Sequence, residues 1–86
     1  MSDITFSKIA WDEYVYWQSQ DKKTINKINQ LLKDIQRDPM GGTGKPEPLK
    51  NSNAWSRRID HKNRLVYKIN DKNEIYILSC EGHYEN

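Results

Sequence analysis

The sequence predicts an α+β fold in which an N-terminal helical hairpin packs on a twisted antiparallel sheet. Two observations predict this class. Apolar residues in the first half recur at helical spacing, whereas the second half contains three runs rich in β-branched and aromatic residues, separated by turn formers. With 86 residues, 35% of them hydrophobic and 30% charged, the chain is expected to form a single domain over residues 1–86 with a thin core.

A short strand at residues 4–6 and a first helix are predicted at the N-terminus. Ser7 can cap a helix that begins near Lys8. Four aromatic side chains follow at helical spacing, and we expect most of them to make core or helix-packing contacts rather than to form a stacking platform for bases: Trp11, Tyr14, Tyr16 and Trp17.

A second helix is predicted after a break at residues 20–21, with Asp21 as its cap. Pro39 and the Gly41-Gly42 pair end it. Its apolar stripe has 3,4,3 spacing and consists of Ile25, Ile28, Leu32 and Ile35. The two helices therefore form an αα-hairpin.

Three strands are predicted at residues 55–59, 64–69 and 74–78, joined by turns at 60–63 and 70–73. These strands form an antiparallel meander. Side chains of the middle strand alternate, so one face is expected to pack on the helices and the other to be basic.

The basic face is expected to carry Arg64, Val66 and Lys68. Whether Arg58 lies on the same face as Arg64 depends on the register of the hairpin, which stays open.

Glu47 lies between Pro46 and Pro48, which exclude a helix and present its carboxylate on a stiff loop. Residues 44–68 contain seven Lys and Arg against two acids, Glu47 and Asp60. The Glu47 carboxylate in a segment so rich in cations suggests a site that binds a polyanion through its cations and uses the carboxylate as a base.

The single cysteine, Cys80, follows an apolar run and is expected to be a buried structural thiol. Two histidines without a cysteine cluster argue against a metal site, and no cofactor is expected. No apolar stretch approaches membrane-spanning length, so we expect a cytoplasmic protein without a membrane partner.

Several motifs occur together in an order that resembles the YoeB family of bacterial toxins, within the wider RelE-type group. They are Trp11-Asp12-Glu13-Tyr14, Tyr16-Trp17-Gln18, Lys27-Ile28-Asn29, Gly44-Lys45-Pro46-Glu47-Pro48-Leu49-Lys50, Trp55-Ser56-Arg57-Arg58-Ile59, Arg64-Leu65-Val66-Tyr67 and His83-Tyr84. The resemblance implies a microbial-ribonuclease-like, RelE-type fold and metal-independent mRNA cleavage in the A site of the 70S ribosome. It also implies a YefM-like antitoxin, frequent toxin homodimers and contact with operator DNA only through the antitoxin complex.

By this resemblance, four residues carry the catalytic roles: Glu47 as general base, Arg64 as the transition-state arginine, His83 as general acid and Tyr84 as the C-terminal aromatic. Four cations would bind RNA: Lys45, Lys50, Arg57 and Arg58. The Glu81-Gly82 pair directly before His83 departs from the family pattern. We expect Gly82 to loosen the backbone at this point.

Two other functions remain open at this point. One is a noncatalytic protein that binds its antitoxin and helps to repress their operon, and the other is a ParE-like topoisomerase poison. The combination of Glu47, Arg64 and His83 favours the nuclease.

Overall fold

The computed structural model describes residues 3–42, 44–50 and 52–82, so that His83 and Tyr84 lie outside the described residues. Within these ranges the chain forms two helices and five strands, in the order β1 (Ile4–Phe6), α1 (Lys8–Gln20), α2 (Lys22–Arg37), β2 (Glu47–Pro48), β3 (Ala54–Arg58), β4 (Arg64–Ile69) and β5 (Ile75–Ser79). The predicted α+β class, the helical hairpin and the three-stranded meander are confirmed.

Both helices begin at the predicted capping residues. Ser7 Oγ accepts a hydrogen bond from the backbone N–H of Ala10 at 3.0 Å. The Asp21 carboxylate accepts from the backbone N–H of Lys23 at 3.1 Å and from the Thr24 hydroxyl at 2.8 Å. The bond from the Thr24 hydroxyl is the main reason that the pKa of Asp21 lies below its ordinary value. Because the folded-state pKa is the lower one, this cap stabilises the hairpin at neutral pH and weakens in acid.

The sheet has the strand order β1-β5-β4-β3-β2 and differs from the prediction in two strands, β1 and β2. Strands β3 to β5 pair antiparallel, as predicted. Strand β2, at residues that were expected to form a loop, pairs antiparallel with β3. Strand β1 instead runs parallel to β5, with Ile4 opposite Ile75 and Phe6 opposite Ile77. Parallel strands cannot be joined by a tight turn, because the chain must cross back over the sheet. Here the helical hairpin follows β1 and covers the sheet. The sheet is therefore mixed.

The helices cover one face of the sheet, and the main core lies between the two layers. The apolar stripe of α2 differs from the predicted one, because Leu31 is fully buried and Leu32 only packs at the edge of the core. Buried residues of this core include Ile28, Leu31 and Ile35 from α2 and Leu65, Tyr67, Ile75 and Ile77 from the sheet. We call the opposite side of the sheet the outer face.

The aromatic residues of α1 divide into two pairs. Tyr14 and Trp17 pack against the core, as predicted. Trp11 and Tyr16 are 51% and 48% exposed and are not core residues, although the Trp11 ring contacts Phe6 and Tyr14. Helix α1 is therefore apolar on its solvent side as well as on its core side.

Strand β5 contains a bulge at Leu78. Its neighbours Ile77 and Ser79 pair with consecutive residues of β4, which leaves Leu78 as the extra residue. Leu78 packs on the outer face, whereas Cys80, two residues later, is fully buried in the main core. The bulge thus shifts the alternation of side chains and turns Cys80 toward the helices.

Arg57 and Tyr67, both fully buried, tie the loop after α2 to the sheet. The guanidinium of Arg57 donates to the carbonyl of Asp38 at 2.7 Å and to the hydroxyl of Tyr67 at 3.1 Å. That hydroxyl donates to the carbonyl of Pro39 at 2.7 Å. Burial raises the pKa of Tyr67, with Arg57 opposing it, so the hydroxyl remains a donor at neutral pH.

Replacing Tyr67 by Phe tests this tie. The change removes a donor to Pro39 and an acceptor for Arg57, and leaving such buried groups without partners costs about 1–3 kcal/mol of unfolding free energy. Urea unfolding measures the loss. Tyr76→Phe is the matched control, because Tyr76 is 38% exposed. Equal losses in the two variants would contradict the tie.

Candidate functional site

Glu47, Arg58 and Arg64 share the outer face of the sheet. Glu47 lies opposite Ser56 across β2 and β3, and Arg58 lies opposite Arg64 across β3 and β4. Because side chains alternate along a strand, Ser56 and Arg58 point to the same face. Glu47 is consequently a diagonal neighbour of Arg58, an arrangement with a typical Cα separation of about 7–8 Å. The open question of register is settled, since Arg58 stands beside Arg64.

The chemistry of this face follows from its exposure. Glu47 and Arg58 are exposed and Arg64 is partly exposed. A carboxylate can accept a proton from a hydroxyl, and neighbouring guanidinium groups can bind the anionic oxygens of a phosphodiester. The three side chains therefore offer a base and two cations to one polyanionic ligand.

Glu47 lies in a two-residue edge strand rather than on a loop. Pro46 and Pro48 are compatible with this position, because proline lacks the N–H of a ladder bond and is tolerated at sheet edges. The chain stays attached beyond them, since the N–H of Leu49 donates to the carbonyl of Ala54 at 2.9 Å. The carboxylate is thus presented by the sheet itself.

The segment before Glu47 is held against the sheet through Gly44. Its carbonyl accepts a hydrogen bond from the N–H of Arg58 at 2.7 Å. Its φ is +87°, and a Cβ at this position would lie 2.8 Å from Leu31 Cδ2. Glycine is required here by both backbone conformation and space, and it allows the loop to approach the core.

Arg57 is the one predicted RNA-binding residue that the fold contradicts. Arg57 lies opposite Leu65 and faces the helices, with no exposed surface, so it cannot contact RNA in this fold. Lys45 and Lys50 are exposed beside the edge strand, as an RNA-binding role requires. Lys68 is also exposed on the outer face, opposite Ala54.

The described chain ends beside Arg64. The N–H of Arg64 donates to the carbonyl of Gly82 at 2.9 Å, and the N–H of Gly82 donates to Asn63 Oδ1 at 2.9 Å. Gly82 has a φ of +85°. Both polar backbone groups of Gly82 are therefore bonded, although the sequence suggested that this glycine loosens the backbone. His83, the next residue, and Tyr84 lie outside the described residues.

Cys80 confirms the expectation of a buried structural thiol. Burial, followed by the charges of Glu13 and Glu81, raises the pKa of this thiol to about 12. Burial also raises the pKa of the Glu13 carboxyl, and a hydrogen bond from the N–H of Cys80 partly offsets that rise. The thiol is protonated at neutral pH, and thiols in that state are poor nucleophiles.

Sequence reasoning missed Asn63 as a contributor to this site. The only local signal was the Asp60 and Asn63 pair at the two ends of a predicted turn. Its partner Gly82 is 19 residues further along the chain, and no spacing rule points to such a contact.

Two absences hold for the described ranges. Within residues 3–42, 44–50 and 52–82, no three His, Cys, Asp or Glu side chains are grouped so that they could hold a metal ion. In the same part of the chain, neither helix has the length and apolar character needed to cross a membrane.

Solved structures share this arrangement of helices and sheet. A YoeB dimer from Staphylococcus aureus superposes with a TM-score of 0.88 and is 50% identical, covering 96% of this chain and 98% of that one. A heterotetrameric YoeB–YefM toxin–antitoxin complex from the same organism gives a TM-score of 0.86 at 49% identity, covering 98% and 99% of the two chains. The fold is thus that of a small bacterial toxin.

Sequence comparison identifies the family. The Toxin YoeB of Escherichia coli strain K12 is 48% identical over 83 residues, which are 94% of this chain and 98% of that toxin. Residues 6–84 match the YoeB-like toxins of bacterial type II toxin–antitoxin systems, and the chain belongs to this family. The resemblance found in the sequence motifs is confirmed.

Two glycine substitutions test how the Glu47 segment is held. Gly44→Ala and Gly82→Ala both place alanine at a left-handed φ, which costs about 1–2 kcal/mol. A Cβ at Gly82 would meet nothing within 4 Å, whereas one at Gly44 would crowd Leu31. Gly44→Ala should therefore lower the free energy of unfolding by about 1–3 kcal/mol more than Gly82→Ala does, which is the usual cost of overpacking. Denaturant unfolding of both variants measures the difference, and equal losses would show that Gly44 is not closely packed.

Proposed function

We propose that this chain is a ribosome-dependent mRNA endoribonuclease, the toxin of a YoeB–YefM-like pair, which cleaves mRNA in the ribosomal A site and thereby inhibits translation. The observation that carries the proposal is the shared outer face of Glu47, Arg58 and Arg64. Membership in the YoeB family supports it. Glu47 and the two arginines face away from the core, so the site is accessible to an external RNA strand.

The proposed reaction uses general acid–base chemistry without a metal ion. Glu47 accepts the proton of a ribose 2′-OH, and that oxygen attacks the adjacent phosphorus. Arg64 and Arg58 bind the nonbridging oxygens, whose negative charge grows in the transition state. His83 donates a proton to the departing 5′-oxygen, which leaves a 2′,3′-cyclic phosphate and a 5′-hydroxyl. An imidazole suits this step because it can hold a proton near neutral pH.

Further residues would hold the RNA in place. Tyr84 can stack on a base or orient the phosphate through its hydroxyl. Lys45 and Lys50 are exposed beside Glu47 and would bind neighbouring phosphates. The roles of His83 and Tyr84 rest on the family motif, and the hydrogen bond between Arg64 and Gly82 supports them by holding the preceding residue beside Arg64.

A YefM-like antitoxin is the proposed inhibitor. The S. aureus relative that forms a complex with YefM supports this partner. The outer face also carries a small apolar cluster of Leu49, Ala54, Val66 and Leu78 next to the two arginines. An acidic, amphipathic antitoxin segment that folds on binding would complement both features.

The remaining proposed partners follow from the family. The S. aureus YoeB dimer supports a homodimer of this chain. Operator DNA would be contacted only through the antitoxin complex. Action on ribosomes implies a cytoplasmic location.

Glu47→Gln tests the general base. Glutamine keeps the shape of the side chain but cannot take up the 2′-OH proton, so single-turnover cleavage of mRNA on ribosomes should fall by about 10² or more, with ribosome binding little changed. Glu74→Gln is the matched control, since Glu74 is an exposed acid at the turn between β4 and β5. Wild-type cleavage by Glu47→Gln would rule out Glu47 as the base.

Arg64→Lys tests the transition-state contact. Lysine keeps the charge but loses the planar fork that binds two phosphate oxygens. We expect cleavage to fall at least about tenfold, equal to about 1.4 kcal/mol of transition-state stabilisation. Arg37→Lys is the control, because Arg37 lies on α2 and its side chain is 77% exposed. Equal activity of Arg64→Lys and the wild type would reduce Arg64 to a general cation.

A further inference from the structure

Residues 80–82, which we call the C-terminal strap, are held by side chains of α1 on one side. The N–H of Cys80 donates to Glu13 Oε1 at 2.8 Å, and the indole N–H of Trp17 donates to the carbonyl of Cys80 at 2.9 Å. Glu13 and Trp17 are four residues apart and therefore lie on the same side of the helix. Both backbone polar groups of the buried Cys80 are bonded in this way.

The turn between β3 and β4 holds the other end of the strap. Asn63 Oδ1 accepts from the N–H of Gly82, and the carbonyl of Gly82 accepts from the N–H of Arg64, both at 2.9 Å. The last residue of the turn and the first residue of β4 thus bond the two polar backbone groups of Gly82. The strap is tied directly to the residue that carries the proposed transition-state contact.

The orientation of the Asn63 side chain is set by Asp60. The amide Nδ2 of Asn63 donates to both carboxylate oxygens of Asp60, at 3.2 and 3.1 Å. The carboxylate also accepts from the backbone N–H groups of Lys62 and Asn63, at 2.8 and 2.7 Å. With Nδ2 committed to Asp60, the Oδ1 atom of Asn63 must face Gly82.

The state of Asp60 agrees with this arrangement. Burial alone would raise the pKa of Asp60, but the hydrogen bonds from Asn63 and Lys62 outweigh it and hold the pKa below its ordinary value. The group is therefore an ionised acceptor at neutral pH, and charged acceptors make the stronger hydrogen bonds.

We propose that Asn63 is a positioning residue of the nuclease site, which fixes the strap beside Arg64 and thereby the point from which His83 extends. Glu13 and Trp17 complete this function from the opposite side of the strap. The proposal rests on the proposed function, because it takes His83 as the general acid. Small displacements of a reacting group are costly, and about 1 Å can reduce a rate by about 10².

A double-mutant cycle tests the proposal with single-turnover mRNA cleavage on ribosomes. Asn63→Ala should lower the cleavage rate about tenfold or more, while the toxin concentration at half-saturation stays within about twofold. In a His83→Gln background the same change should cost less than about twofold, because a residue that acts through His83 has nothing left to position.

Asn70→Ala is the matched control. Asn70 organises the turn between β4 and β5 by accepting from the N–H groups of Lys72 and Glu74, at 2.9 Å in both cases. Like Asn63 it is partly buried, but its turn lies at the opposite end of β4. Its replacement should remove a similar set of local hydrogen bonds and leave cleavage within about twofold of the wild type.

The outcomes separate this proposal from the function on which it rests. One outcome is that His83→Gln slows cleavage and that Asn63→Ala causes the same fold loss in the His83→Gln background as in the wild type. The positioning role is then overturned, and the nuclease proposal survives. Full cleavage by His83→Gln overturns the proposed acid and this proposal together. If Asn63→Ala does not fold, Trp17→Phe takes its place in the cycle, because it removes the indole donor to Cys80 and keeps an aromatic ring against the core. Multiplicative losses there would also overturn the proposal.

Discussion

The register of β4 is the constraint on which the rest of the structure depends. Its pairing with β3 sets Arg64 beside Arg58 on the outer face and Leu65 opposite Arg57 on the helix face. A slip of one residue in β3 would exchange the two faces, exposing Arg57 and driving Arg58 into the core. On its other side, β4 bonds the strap through the N–H of Arg64. Strand β4 therefore determines the positions of Arg58 and Arg64. It also determines the position of Glu47, because β3 pairs with both β4 and β2, and the position of Gly82.

The two faces of the sheet divide stability from chemistry. The helix face holds the main core, including the buried guanidinium of Arg57, which binds the loop after α2. Among the described residues, the outer face holds the small apolar cluster around Val66, with the arginines and Glu47 beside it. Side chains on the outer face can therefore be suited to ligand binding with little loss of the stability that the core provides. Gly44 and the strap connect the two faces, because each reaches the site from a position packed against the helix layer.

Local patterns predicted much of this structure, and long-range contacts account for what they missed. The caps Ser7 and Asp21, the three strands of the meander and the burial of Cys80 follow from spacing and residue type, which act within a few residues. The parallel pairing of β1, the burial of Arg57 and the bond from Gly82 to Asn63 depend on partners far along the chain. Arg57 and Arg58 are chemically equivalent in the sequence, and only the register separates a structural arginine from an exposed one. The bulge at Leu78 likewise leaves no mark on the apolar run of β5.

The central claim is that the strap is hydrogen-bonded to the start of β4. Amide hydrogen exchange at Arg64 and Gly82 tests this claim most directly. The N–H of Arg64 donates to the carbonyl of Gly82, and the N–H of Gly82 donates to Asn63 Oδ1. The account predicts that both amides exchange much more slowly than those of an unstructured peptide, and that Asn63→Ala restores fast exchange at Gly82 while sparing the core of β4. Exchange of both amides at the unstructured rate in the wild-type protein would contradict it.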